Sequence, residues 1–146
     1  MNHTSDYVRQ NLKTLRKESK MSLRVMSEAL ARRGFKMSHS AIGEVERGVR
    51  RINIDELTAI AAVFGVSPAS LLLPRNMSPE DRVQLSGTPE TTAKDMVDWV
   101  RGDEPLEPEV RADSFLAEGF RRGSLPKWLW KPWSPPTNGN ALRVAR

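Results

Sequence analysis

Between residues 5 and 74 no helical pattern runs far before it meets a stop, and this punctuation restricts the segment to short helices packed on one another. Val8, Leu12 and Leu15 recur at helical spacing over residues 5–19, with Arg9, Lys13, Arg16 and Lys17 between them. Ser22 offers a capping hydroxyl to a second helix over about 23–33, with Leu23, Met26 and Leu30 on one face and Gly34 as its left-handed stop. Ser38 caps a third, in which Ile42 and Val45 face inward and Gly48 is the stop. Asn53 followed by Glu56 reads as a variant capping box for a fourth, with Leu57, Ile60, Ala61 and Phe64 as its stripe and Gly65 as its end. Ser67-Pro68 opens a brief fifth helix that Pro74 closes. The expectation is a compact all-α domain over residues 5–74.

Beyond Pro74 the character changes. Residues 75–91 are rich in Pro, Ser, Gly and Thr and read as a linker, with at most a short extended segment at 83–85. Thr92 with Asp95 can cap a helix carrying Met96, Trp99 and Val100, and a second helical pattern runs over about 108–122 with Val110, Phe115, Leu116 and Phe120. A helical, Trp-rich extension is therefore expected over 92–133, and a disordered tail over 134–146, where there is little to bury.

Charge separates the two parts. Residues 1–74 hold 12 Lys/Arg against 7 Asp/Glu, which accounts for the whole net charge of +5, whereas 75–146 hold 11 of each. A basic surface attracts phosphate and releases counterions on binding, so nucleic acid is the first partner to consider. The chain has no cysteine, which excludes disulfides, thiolate nucleophiles and cysteine-type zinc sites. No stretch has the length of a signal-peptide core or a membrane span, so a soluble cytoplasmic protein is expected. His3 and His39 are the only histidines, and neither an HxxxH pattern nor a Gly-rich phosphate loop is present. No enzyme, cofactor or metal is expected.

The segment MSLRVMSEALARRGFKMSHSAIGEVERG followed by INIDELTAIAAVFGVSPASLL resembles the Cro and phage-repressor (XRE-like) type of helix-turn-helix. The resemblance is carried by Ser38 with Ile42, the Glu46-Arg47-Gly48 triplet, then Leu57, Ile60-Ala61 and Gly65-Val66-Ser67. It covers about half of the chain and extends to actinobacterial and actinophage members. It implies an all-α fold: a five-helix repressor-like helix-turn-helix domain, followed by a small, mainly helical C-terminal extension.

The resemblance also implies a function, that of a sequence-specific transcriptional regulator of the repressor type, whose third helix, residues 38–47, enters the major groove of double-stranded DNA. His39, Ser40, Gly43 and Glu44 then fall at base edges, where Glu44 could only accept, as from a cytosine amino group. Arg24, Ser38, Arg47, Arg50 and Arg51 fall at phosphates. Glu46 is implied to pair with Arg16 as a structural ion pair. Leu23 departs from the pattern, since related proteins often carry a phosphate-contacting glutamine there, and the connection between helices two and three is longer than in compact phage repressors. A nucleoid-associated location and a palindromic operator are expected. The rival reading is an antitoxin-like module whose main partner is a protein. All four tryptophans, Trp99, Trp128, Trp130 and Trp133, lie in the extension with Phe115 and Phe120. Such aromatics need burial, either in a homodimer or against the first domain.

Overall fold

The computed structural model describes residues 4–132, and the expected tail over 134–146, together with His3 and Trp133, lies outside them. The chain forms two units, residues 1–93 and 94–146. Both are helical, with one small strand pair among the described residues.

In the first unit α1 (Thr4–Glu18), α2 (Leu23–Arg32), α3 (His39–Glu46) and α4 (Ile54–Phe64) are followed by a single turn of 3-10 helix at Pro68–Leu72. The starts are set by local chemistry. Ser22, Ser38, Asn53 and Ser67 each take extended backbone and accept from the amide three residues on, satisfying a donor that the first helical turn leaves open. At Asn53 the box is made differently from the usual reciprocal pattern. The Glu56 amide donates to Asn53 Oδ1 at 2.8 Å, while Asn53 Nδ2 donates to Glu56 Oε1 at 2.9 Å, so side chain meets side chain. Gly65 ends α4 at φ 65°, a conformation that costs glycine nothing.

Leu12, Leu15, Met26, Leu30, Met37, Ile42, Val45, Ile60, Ala61 and Leu71 form one continuous core. Leu57 and Phe64, expected on the inner stripe of α4, pack against it but are only partly buried. One polar side chain lies on the inner face of α1. Asn11 is buried, and its Nδ2 donates to the carbonyls of Leu71 and Leu73 at 2.9 and 2.7 Å. It thereby closes the end of the 3-10 turn, whose last carbonyls would otherwise be orphaned.

The stretch read as a linker, 75–91, is structured and belongs to the first unit. β1 (Arg82–Val83) pairs antiparallel with β2 (Thr91–Thr92), Val83 and Leu85 are buried, and Thr4 and Ser86 exchange two amide-to-hydroxyl hydrogen bonds of 3.0 and 2.9 Å. Those two bonds fasten the segment to the first turn of α1.

The second unit takes in nearly all of α5 (Ala93–Val100), then α6 (Pro108–Ala112), α7 (Ser114–Ser124) and a 3-10 turn at Lys127–Leu129. The single helix expected over 108–122 is broken at Asp113, whose carboxylate caps α7 by accepting from the amides of Phe115 and Leu116. A short acid that satisfies the next turn's amides competes with helix continuation. The break changes which face is inward: Ala117 is buried, whereas Phe115 and Leu116, expected to be inside, are 74% and 48% exposed. Arg111 on α6 pairs with Asp95 on α5 at 3.2 Å, and Arg121 on α7 pairs with Glu104 in the loop after α5 at 2.8 Å and with Glu118 on its own helix at 3.1 Å. Arg122 pairs with Glu118 and stands 5.1 Å over the Trp130 ring, a cation–π distance.

Candidate nucleic-acid interface

α3 has one face in the core and one outside. Ile42 and Val45 are almost wholly buried, and Glu46 beside them is 6% exposed. Its carboxylate takes hydrogen bonds from Arg16 Nε at 3.0 Å and from Arg16 Nη2 at 2.8 Å. Arg16 Nη1 also donates to the Met21 carbonyl at 2.8 Å, so one guanidinium ties α1 to both α3 and the loop before α2. This is a forked, charge-assisted arrangement that fixes the angle as well as the position of α3. At the other end of the connection, Ser27 Oγ donates to the Met37 carbonyl at 2.6 Å, holding the segment that leads into α3.

The outer face carries Ser38, His39 and Ser40, all exposed, at the start of the helix, with Glu44 half-exposed one turn on. The Ser38 hydroxyl is already occupied as the cap, accepting from the Ala41 amide at 3.1 Å. Arg24, at the start of α2, and Arg47 and Arg51, after α3, are exposed and form no ion pair among the described residues. The face is therefore polar and net cationic, and its charge is uncommitted.

Two expected contacts are placed differently. Gly43 was expected at a base edge, but it is buried: Arg47 Nη1 would stand 2.9 Å and Leu23 Cδ1 3.4 Å from a Cβ at that position. The missing side chain makes room for the arginine to fold back along its own helix, and Leu23, where the resemblance leads one to expect glutamine, closes the junction of α2 and α3 with apolar carbon. Arg50, expected at a phosphate, is turned inward. It donates to Glu56 Oε1 at 3.0 Å and to the Arg51 carbonyl at 3.1 Å, with Glu44 at 4.0 Å. Its guanidinium balances the 9%-exposed Glu56 side chain, which explains why it does not point outward.

Periodicity gave no reason to single out Arg9. It stands on α1 between Asp6 and the turn after α3, its stem against Gly48, and its Nε is buried with no hydrogen-bond partner. The signal available beforehand was its position one residue beyond the inward Val8, where a long cation must run along the edge of the core.

Compared with known proteins, the chain matches the Helix-turn-helix family model over residues 12–71. No curated protein and no solved structure matches it. The matched span runs from the middle of α1 to the 3-10 turn and includes α2, α3 and α4 whole. The chain thus carries a helix-turn-helix domain of a DNA-binding, regulatory kind. Among the described residues no helix is long and apolar enough to cross a membrane.

Proposed function

We propose that the chain is a sequence-specific transcriptional repressor that reads double-stranded DNA with α3 in the major groove. The observation that carries this is the division of α3. Its inner face is locked by Ile42, Val45 and the Arg16–Glu46 pair, and its exposed first turn offers His39 and Ser40 with uncommitted arginines around it. His39 and Ser40 can donate or accept at base edges, and Glu44 can accept. Arg24, Arg47 and Arg51 supply phosphate contacts, which set register but carry no sequence information. Ser38 meets a phosphate through its hydroxyl while keeping its cap. The protein acts in the cytoplasm at the nucleoid, by occupying its operator, and needs neither cofactor nor catalytic group.

The operator is palindromic in this reading, because the second unit joins two copies of the chain. Phe115 and Leu116 line an apolar cleft of about 640 Å³ on α7 and stand open to solvent, and Trp128 is 81% exposed. Large exposed apolar groups on so small a unit favour a self-complementary interface. Selection of bound duplexes from a random pool tests both parts: a two-fold symmetric consensus with half-sites about one helical turn apart is expected. Recovery of no consensus would remove the DNA-reading function and favour a protein partner instead.

A further inference from the structure

Arg9, Arg50, Arg51, Asp6, Gly48 and Ile52 line a cleft of about 160 Å³ where α1 meets the turn between α3 and α4. Pockets that hold whole cofactors or metabolites run to roughly 300–1,000 Å³, so this one admits a single small group. Its charge is unusual for its size. Arg50 is already balanced by Glu56, which leaves Arg9 and Arg51 against the one carboxylate of Asp6. Arg51 is exposed and has no ion-pair partner among the described residues. Arg9 meets Asp6 only through Nη2, at 3.5 Å, which leaves its buried Nε–H unsatisfied. A buried donor without an acceptor is costly, and a guanidinium edge is shaped to receive oxygen anions. Gly48 takes φ 77°, which favours glycine, and the arginine stem runs alongside it, 3.4 Å from where a Cβ would stand.

From this we infer that the cleft is a seat for one phosphate group, held by the Arg9 guanidinium from within and by Arg51 from the rim. The net positive lining of the cleft suits an oxygen anion such as a phosphodiester. Because the cleft opens beside the turn that follows α3, the group is a backbone phosphate of the bound duplex. This rests on the DNA-binding reading above and adds α1 to the surface that touches the backbone.

The test uses the full-length chain and the selected duplex, with affinity measured across a series of salt concentrations. Each phosphate neutralised contributes about 0.9 to the slope of log affinity against log salt. Arg9→Gln should lower the slope by about that amount and weaken binding about tenfold, with the consensus unchanged. Arg51→Gln, on an exposed side chain whose loss leaves the fold intact, should do the same. The double variant should lose little more slope than either alone, since both act on one phosphate. A slope that Arg9→Gln leaves intact while the melting temperature falls would reduce Arg9 to a packing residue and overturn the proposal. A second arm follows the Arg9 Nε–H resonance of the wild-type chain during titration with inorganic phosphate or with duplex. A shift with duplex supports the backbone source, and a shift with inorganic phosphate alone overturns it while upholding the anion seat. Should the chain bind no duplex at all, the DNA reading fails by itself, and the inorganic phosphate titration still decides the seat: no shift there overturns it.

Discussion

Replacing Glu46 by Gln removes a charge and keeps nearly the same shape, which isolates what the ion pair contributes. In the folded chain Glu46 is 5% and Arg16 14% exposed at the side chain, and the carboxylate receives both Nε and Nη2. Breaking one side of such a buried pair costs about 3–5 kcal/mol, because the remaining charge is left without compensation. Arg16 keeps its bond to the Met21 carbonyl and some access to water, so the lower end, about 3 kcal/mol, is expected. On the scale of a 60–100-residue domain this lowers the melting temperature by roughly 12–24 °C. Urea and thermal unfolding followed by far-ultraviolet circular dichroism would measure it. The paired variant Arg16→Met with Glu46→Met buries two apolar groups in place of the charges and should lie within about 1 kcal/mol of the native chain. A Glu46→Gln cost below about 1 kcal/mol, or a double variant as damaged as the sum of its parts, would refute the reasoning.

His39→Ala and Ser40→Ala should each relax preference at particular base pairs, at about 1–3 kcal/mol, whereas Arg24→Gln and Arg47→Gln should weaken all duplexes alike; a consensus altered by the arginine changes and not by His39 or Ser40 would mean that α3 is misplaced in the groove. Asn11→Ala strips the Leu71 and Leu73 carbonyls of their donor, and unfolding should show a loss of about 2 kcal/mol. An Asn11→Ala chain as stable as the native would show that water satisfies those carbonyls. Phe115→Asp in the full-length chain should shift sedimentation from dimer to monomer, and a native chain that is already monomeric at micromolar concentration would remove the dimer. The Glu118 carboxyl is held below its ordinary 4.5 by the hydrogen bond from Arg122, which outweighs the opposing effect of burial, with Arg121 adding to it. A depressed carboxylate stabilises the fold above its unfolded pKa and ceases to as pH falls through the folded value, so Glu118→Gln should flatten the acid limb of a melting-temperature profile below about pH 4.5. An acid limb identical in the two chains would show that the pair contributes nothing.

What could be read in advance was what is decided within one helical turn. Ser22, Ser38, Asn53 and Ser67 cap where they were expected to, because a hydroxyl or amide three residues before an open amide is a local fact. The apolar stripes of α1 to α4 follow from the 3.6-residue period in the same way. Asn11 was invisible for the opposite reason: it sits on the Val8–Leu12–Leu15 stripe, and its justification is a pair of carbonyls about 60 residues away. The covering of Gly43 depends on where Arg47 and Leu23 rest, and the inward turn of Arg50 on the proximity of Glu56, neither of which is periodic. Asp113 held both possibilities, a polar residue within a longer helix or the cap of a new one, and spacing alone favoured the first.

A helix of eight residues such as α3 would not persist alone in water, where roughly 12–15 are needed even for good helix formers. Its persistence here comes from separate devices acting on separate parts: the Ser38 cap on the first turn, Ile42 and Val45 in the core, and the Arg16 fork on Glu46 near the end. Just beyond α3, Arg50 on Glu56 stiffens the turn toward α4. Because these restraints are independent, no single polar contact on the outer face is needed to keep the helix in place, and His39 and Ser40 are left to present their donors and acceptors outward. A surface fixed in advance loses little conformational entropy on binding, so in the proposed reading the interaction free energy of those two side chains would go to discrimination between base pairs. Arg24, Arg47 and Arg51 stand under the opposite condition. They are long, exposed and without an ion-pair partner among the described residues, so they can follow the backbone of any duplex. The proposed reading therefore places selectivity in the braced turn of α3 and affinity in the free cations around it.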